Sequence, residues 1–357
     1  MAKKKILSIV GARPQIIKSS PVSKVLRKSF CEILLHTGQH YDKRMSQVFF
    51  DLLHIPQPDY NLNVGSASHA MQTAKMMIGI EEVIVKEKPD MVLVYGDTNS
   101  TLAGAVTAAK MHIPVIHIEA GLRSYNKKMP EELNRVCTDH LSNILFCPSK
   151  NAADNLIKEG IKNNVFVVGD VMKDAVAQNI NHINTEEILS HYKVENDFYF
   201  MTIHRQENTD DPGRLKNIVA LIKHAQNKVY FSLHPRTKKL LSENKINLPS
   251  NVVSLEPVNY MESLSFQKHA RIVITDSGGI QKEAFYLNTP CITLRDETEW
   301  IETVQFGFNK VIGVSESKFK EVEKKFLSHN INFSANNIYG DGNASGKIVE
   351  ILRNFYA

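Results

Sequence analysis

Cysteine is scarce in this chain: Cys31, Cys137, Cys147 and Cys291 are the only four in 357 residues, and no two stand at C-x-x-C spacing. That excludes a disulfide-built scaffold and the common zinc frameworks. Scattered and mostly set in apolar strings, the four read as buried thiols of a reducing compartment. No apolar run approaches the roughly 18 residues a membrane helix needs. Ile6–Val10, behind Lys3–Lys5, is far shorter than a signal-peptide core and has no small-residue cleavage site before Gly11. A cytoplasmic protein without membrane contact is expected. Charge of one sign is also lacking: 43 basic residues face 38 acidic ones, a formal +5. No basic stripe interleaved with aromatics is visible, which argues against nucleic acid and leaves a mild attraction for an anionic ligand. His36 and His40 stand four apart in a loop-like segment without a carboxylate at ligand spacing, so no metal is expected. No dinucleotide-binding loop is evident, so no nicotinamide cofactor is expected either.

What the chain does have is alternation. Apolar, β-branched runs at Ile6–Val10, Ile33–His36, Met91–Tyr95, Val115–Ile118, Ile144–Cys147 and Val165–Val168 are separated by helix-length segments. A second series follows at Phe198–Ile203, Val229–Leu233, Val252–Leu255, Ile272–Thr275 and Cys291–Leu294. Parallel sheets buried on both faces require such runs, and a chain of this length exceeds one ordinary core. The expected fold class is α/β, with two Rossmann-like domains and a central cleft. Their bounds are read as 1–171 and 198–338, joined by a polar connection over 172–197, with a last helix over 339–357 packing back across both.

In open α/β sheets ligands sit beyond the carboxyl ends of the strands, so the segments just after each strand carry the functional reading. Gly11-Ala12-Arg13-Pro14 feeds a helix start, which offers backbone N–H groups, a positive dipole end and a bidentate cation to a phosphate; a tight turn with a solvated arginine is the plainer alternative. Thr275-Asp276-Ser277-Gly278-Gly279 is its counterpart in the second series, with Glu283 further along the helix placed to reach a ribose diol or simply to be an exposed charge. Asp97 and Glu119 each close a strand one crossover apart and should emerge at one sheet edge, a pairing suited to acid/base work. Singly, Asp97 serves equally as an N-cap and Glu119 as a solvated strand end. Pro130-Glu131-Glu132-Leu133-Asn134-Arg135 reads as a helix start whose Glu131 and Arg135 can pair on the surface. His204-Arg205 and His234-Pro235-Arg236 put histidine and arginine at two more strand ends, where they suit a phosphate.

Together these residues resemble the non-hydrolysing UDP-N-acetylglucosamine 2-epimerase family, which shares its GT-B-type fold with many nucleotide-sugar glycosyltransferases. The likeness runs nearly end to end through Gly11–Pro14, His36–His40, Gly96–Thr98, Ile118–Arg123, Pro130–Arg135, His204-Arg205, Thr275–Gly279, Leu294–Asp296 and Tyr339–Gly342. The resemblance implies a cofactor-free inversion at C2 of a UDP-linked 2-acetamido sugar, through UDP elimination to a 2-acetamidoglycal and re-addition, for surface polysaccharide biosynthesis. It implies a catalytic group of Asp97, Glu119 and Glu131 as acid/base carboxylates with Arg135 and His204, and that Arg13, Lys18, His204, Arg205, His234, Ser277, Gly278, Gly279, Glu283 and Arg295 bind the UDP-sugar. A homodimer is expected. A regulatory sugar-nucleotide site would involve Gln39-His40 and His234, with Asp42 where another polar amide is usual.

Some positions depart from the family's common pattern. Ala12 and Gln15 stand where Gly-Thr-Arg-Pro-Glu is typical, Gln206 where His-Arg-Arg-Glu is, and Thr298-Glu299-Trp300-Ile301-Glu302 where Thr-Glu-Arg-Pro-Glu is. These variants resemble the branch acting on UDP-2,3-diacetamido-2,3-dideoxyglucuronate. Trp300 would then offer a flat apolar wall to an acetamido group, with Lys18, Arg123 and Arg236 as candidate cations for the sugar carboxylate.

Overall fold

The computed structural model describes residues 3–39, 55–328 and 337–355. It divides into two compact units, Met1–Ala177 with Asn337–Ala357, and Gln178–Asn336. Each is a parallel sheet covered by helices.

The strands of the first unit are β1 (Lys5–Val10), β2 (Cys31–His36), β3 (Tyr60–Asn61), β4 (Met91–Tyr95), β5 (Val115–Ile118), β6 (Ile144–Cys147) and β7 (Val165–Val167). They lie in the order β3-β2-β1-β4-β5-β6-β7. The second unit contains β8 (Tyr199–Ile203), β9 (Val229–Leu233), β10 (Val252–Leu255), β11 (Ile272–Thr275), β12 (Cys291–Thr293) and β13 (Asn309–Val311), ordered β10-β9-β8-β11-β12-β13. In both, the first strand is flanked by an earlier-going and a later-going neighbour, so the strand order reverses beside it. The switch points therefore lie between β1 and β4 and between β8 and β11, where ligands of such sheets bind.

Alternation along the strands explains why both faces of each sheet need helices. Tyr199, Met201 and Ile203 of β8 join Ile272 and Ile274 of β11 in one core. Phe198 and Phe200 join Val273 and Phe266 in the other, where Phe200 and Phe266 stack at 5.1 Å. In the first unit Leu7, Ile9, Val92 and Val94 meet Met76 and Ile80 of the helix His69–Glu87 and the small residues Ala103, Ala105 and Ala108 of the helix Asn99–Lys110.

The polar stretch over 172–197 is composed to permit helix. It forms the helices Val171–Ile180 and Thr185–His191, and the boundary between the units falls inside the first. The last helix, Ala344–Phe355, belongs to the first unit and packs against the helix Arg13–Ser29. Its start is held by Asp174, which accepts from the Ala344 N–H at 3.0 Å and the Ser345 N–H at 2.7 Å. Burial raises the Asp174 carboxyl above its ordinary pKa, partly offset by those bonds. All four cysteines are free. Cys147 and Cys291 are buried as expected, and burial pushes the Cys291 thiol up to about 12. Cys31 and Cys137 are exposed instead, because one opens a strand and the other lies on the outer side of the helix Pro130–Leu141. No described helix is long and apolar enough to cross a membrane.

Candidate active site

At the first switch point the turn after β1 leads into the helix Arg13–Ser29, with Pro14 in its first turn. The turn's leading N–H groups are already engaged: the Gln15 side-chain oxygen accepts from Gly11 at 2.8 Å and Ala12 at 3.1 Å. Its amide nitrogen donates to the Tyr95 carbonyl at 2.8 Å and the Thr101 hydroxyl at 2.9 Å, so this buried amide ties the β1 turn to the β4 turn. The next amides are engaged too, since Gln15 and Ile16 N–H donate to the Ala12 carbonyl at 2.9 and 3.2 Å, which leaves the half-buried Arg13 as the cation of this turn.

Asp97 and Glu119 emerge together as expected, because β4 and β5 pair directly with Tyr95 opposite Ile118. Asp97 is not the N-cap of the next helix; Thr98 is, accepting from Thr101 N–H. The Asp97 carboxylate instead receives an Arg135 guanidinium N–H at 2.5 Å. Arg135 is buried, not on the surface, and its other arm reaches Glu132 at 3.1 Å. Glu132 in turn accepts from Ser124 and Tyr125, which folds the preceding loop onto the helix. Glu131 is half-buried on the first turn of that helix.

Glu119 is not a solvated strand end. It is buried, has a φ of +74° in the left-handed region, and is ion-paired with Lys18. A non-glycine residue held there stores strain of roughly 1–3 kcal/mol, which is characteristic of functional turns. Lys18, whose side chain comes from the helix after β1, is consequently committed to Glu119. Arg123 is committed as well: it is buried, donates to Asp139 at 2.6 Å and grips Glu159 at 2.7 and 2.6 Å. Arg236 is paired with Asp210 on the surface. Each of the three cations suggested for a sugar carboxylate therefore has a carboxylate partner within its own unit, a pairing that sequence spacing does not display.

At the second switch point, Asp276 closes β11 and is fully buried. Its carboxylate accepts from the His204 N–H at 3.1 Å, the Arg205 N–H at 3.0 Å and the Asn208 amide at 3.0 Å, which locks the β8 turn to the β11 turn. The His204 and His234 rings, at adjacent strand ends, lie 6.0 Å apart. Ser277 caps the helix Gly278–Tyr286. Gly278 is sterically required: a Cβ there would stand 2.6 Å from the Glu299 carboxylate, whereas one on Gly279 would meet only the Ser277 hydroxyl at 3.8 Å. Behind the turn, Arg295 is fully buried and donates to Glu299 at 2.9 Å. The guanidinium thus supports the turn from beneath. Glu283 is buried too rather than an exposed helix charge. Burial raises its carboxyl above the ordinary range, partly offset by a 2.7 Å bond from Gln267 and by Lys282. Trp300 is only 3% exposed, with the Lys282 ammonium 3.9 Å from its ring centroid, so the flat wall expected of the indole is already covered.

His36 is buried, and its Nδ1 accepts from Gly38 N–H at 3.0 Å. His40 and Asp42 lie outside the described residues. Among the described residues no group of three or more His, Cys, Asp or Glu side chains could hold a metal ion.

A sequence profile of UDP-N-acetylglucosamine 2-epimerase matches residues 24–353. A Methanococcus maripaludis UDP-N-acetylglucosamine 2-epimerase homolog is 49% identical over 98% of this chain and 99% of its own. The Pseudomonas aeruginosa UDP-2,3-diacetamido-2,3-dideoxy-D-glucuronate 2-epimerase is 45% identical over 98% and 99%. The crystal structure of Methanocaldococcus jannaschii UDP-GlcNAc 2-epimerase in complex with UDP-GlcNAc and UDP superposes with a TM-score of 0.91 at 44% identity, covering 98% and 99%. The calicheamicin glycosyltransferase, at 12% identity and a TM-score of 0.59, shares the fold alone, which is accordingly of the GT-B type. With two parallel-sheet units, charged residues gathered at both switch points and a profile spanning nearly the whole chain, the protein belongs to the UDP-N-acetylglucosamine 2-epimerase family.

Proposed function

We propose that the chain is a non-hydrolysing 2-epimerase of a UDP-2-acetamido sugar, of the UDP-GlcNAc to UDP-ManNAc type, serving surface polysaccharide biosynthesis. The observation that carries this reading is the paired carboxylates Asp97 and Glu119 at the first switch point, each held by a buried cation, Arg135 and Lys18. A glycosyl transfer needs less acid/base capacity than this group supplies. In the forward half-reaction a carboxylate of the set Asp97, Glu119 and Glu131 takes the C2 proton. Its bonding pair becomes the C1=C2 double bond, and the C1–O bond breaks with its electrons leaving on UDP. Re-addition of UDP at C1 and protonation of C2 from the other face complete the inversion. The weakly acidic C2–H requires a positioned base, and the departing diphosphate requires prearranged positive charge. In this reading His204, Arg205, His234 and the Ser277-Gly278-Gly279 turn receive the diphosphate, Glu283 receives the ribose, and Arg13 supplies a cation at the first unit's own switch point. Incubation with UDP-N-acetylglucosamine watched by proton NMR tests it: a second, 2-epimeric UDP-sugar should appear without any added cofactor.

Similarity to the Pseudomonas aeruginosa enzyme keeps a diacetamido glucuronate as the second reading. The commitments of Lys18, Arg123 and Trp300 weigh against it. The comparison that separates the two is kcat/KM for each UDP-sugar, and we expect the plain acetamido sugar to be used at least as well.

The protein is placed in the cytoplasm, where its four free thiols, two of them exposed, stay reduced. We also assign it a homodimeric state. The helix His69–Glu87 exposes Met71 by 53%, Ile78 by 61% and Val85 by 59%, one apolar stripe at seven-residue spacing. Laid antiparallel on its own copy about Ile78, that stripe sets Met71 against Val85 and the exposed Lys75 against the exposed Glu81, a self-complementary, isologous contact.

A further inference from the structure

β5 carries one residue that its surroundings do not ask for. Val115, Ile116 and Ile118 suit a strand buried on both faces, yet His117 sits among them fully buried. Its two ring nitrogens face two acceptors. Nδ1 lies 2.7 Å from Asp139 Oδ1, and Nε2 lies 2.7 Å from the carbonyl oxygen of Gly96. A carbonyl only accepts, so Nε2 carries a proton. Asp139 also accepts from the Gly121 N–H at 3.1 Å and from Arg123 at 2.6 Å. Burial alone would raise the Asp139 carboxyl, but the His117 and Arg123 contacts outweigh it and hold it below the usual carboxylate range. The ring therefore spans the Asp139 carboxylate and the Gly96 carbonyl, in contact with both. Behind Asp139 the chain of contacts continues through Arg123 to Glu159, which His140 approaches at 3.4 Å.

The far end of this chain is the turn that carries Asp97. Gly96 has a φ of +61°, and a Cβ there would stand 3.1 Å from Glu119 Oε2 and 3.2 Å from Lys18 Nζ. Its peptide is gripped twice by β5: the N–H donates to the Ile118 carbonyl at 3.0 Å, and the carbonyl accepts from His117. The turn therefore runs close beside the Lys18–Glu119 pair, with no room for a side chain, and is bonded to His117 on its other side. We infer that His117 is a positioning residue, whose ring bridges the Asp139 carboxylate and the Gly96 carbonyl and so fixes the spacing of Asp97 and Glu119. This rests on the reading of those carboxylates as the proton-transfer groups of a 2-epimerase.

Two substitutions separate the two ring contacts. His117→Asn presents an amide N–H near the place of Nδ1 and keeps the Asp139 contact, but it does not reach Gly96. His117→Gln extends an N–H toward the place of Nε2 and restores the Gly96 contact. The measurements are kcat and KM with UDP-N-acetylglucosamine, deuterium exchange at C2 in D2O, and UDP affinity by calorimetry. A displacement of the turn by a fraction of an ångström should lower kcat and the exchange rate of His117→Asn by about 10–100-fold. UDP affinity should stay within about twofold, and His117→Gln should recover most of the loss, since it remakes the one hydrogen bond at issue. The inference is overturned if His117→Asn exchanges C2–H at the wild-type rate. It is overturned equally if both variants lose UDP affinity and kcat together, because His117 then only supports the fold. Absence of C2 exchange in the wild-type protein would instead remove the epimerase reading, and this inference with it.

Discussion

Replacing Gly278 and Gly279 one at a time by alanine separates the two functions packed into a single turn. A Cβ on Gly278 would lie 2.6 Å from Glu299 Oε1 and 3.3 Å from Trp300 Nε1. Ordinary contact begins near 3.4 Å, so the Glu299 carboxylate has to retreat by about 0.8 Å to reach it. It is not free to do so, being buried and bound at 2.9 Å to the fully buried Arg295. Overpacking of this kind costs about 1–3 kcal/mol, and the better helix propensity of alanine returns about 0.5–1 kcal/mol. The net loss, about 0–2.5 kcal/mol and centred near 1, lowers Tm by up to roughly 10 °C for a unit of this size. A Cβ on Gly279 meets only the Ser277 hydroxyl at 3.8 Å, so the folded protein accommodates it. It would nonetheless occupy the space through which a diphosphate approaches the helix N-terminus. Scanning calorimetry and UDP titration on both variants give the readout. Gly278→Ala should lose Tm and UDP affinity together, whereas Gly279→Ala should keep its Tm and lose UDP affinity alone. If Gly279→Ala binds UDP as tightly as the wild type, the turn does not hold the diphosphate and the assignment of the second unit's switch point is wrong.

Asp97→Asn should lower kcat by about 10²–10⁴-fold, the usual range for a lost acid/base group, while leaving the UDP dissociation constant nearly unchanged; a matching loss of UDP affinity would place Asp97 at the nucleotide instead. For Glu283, burial raises the folded-state pKa above the ordinary 4.5, so the folded chain holds this proton to higher pH than the unfolded one and stability falls as pH climbs from about 4.5 through the raised value. Glu283→Gln should lack that fall, so its Tm should gain on the wild type between about pH 4 and pH 7, and parallel curves would show that the carboxyl is not desolvated. Ile78→Glu places a charge on the proposed two-fold axis and should halve the mass seen by light scattering, whereas an unchanged mass would move the dimer contact elsewhere.

The strands were legible because parallel sheets covered on both faces must be written as short, uninterrupted apolar runs. All eleven runs appear as β-strands, with ends displaced by no more than a few residues. The two strands that escaped, Tyr60–Asn61 and Asn309–Val311, are edge strands of two and three residues with polar members, too short to set a pattern. A linear reading also gave the last segment a place of its own, whereas Asp174 and the helix Arg13–Ser29 hold it in the first unit through contacts that sequence order conceals. In the candidate site, Asp97 and Glu119 were found by their place at strand ends. Their partners were not, since nothing in the spacing of Lys18 or Arg135 says which carboxylate each reaches. The residues that knit the turns, Gln15, Asp276 and His117, carried only a faint signal: polar side chains at or within strands whose neighbours are apolar. Arg123, Arg295 and Trp300 were read as ligand-facing because their chemistry suits a ligand. Their burial and the partners they meet are tertiary properties that the sequence does not display.

The central claim is that the proton at C2 is removed and replaced at the Asp97–Glu119 carboxylates, and running the reaction in D2O tests it most directly. With UDP-N-acetylglucosamine as substrate, the 2-epimeric product observed by NMR should carry deuterium at C2 from its first appearance, and Glu119→Gln should suppress exchange and epimerisation together. Formation of the epimer with the original hydrogen retained at C2 would contradict the account.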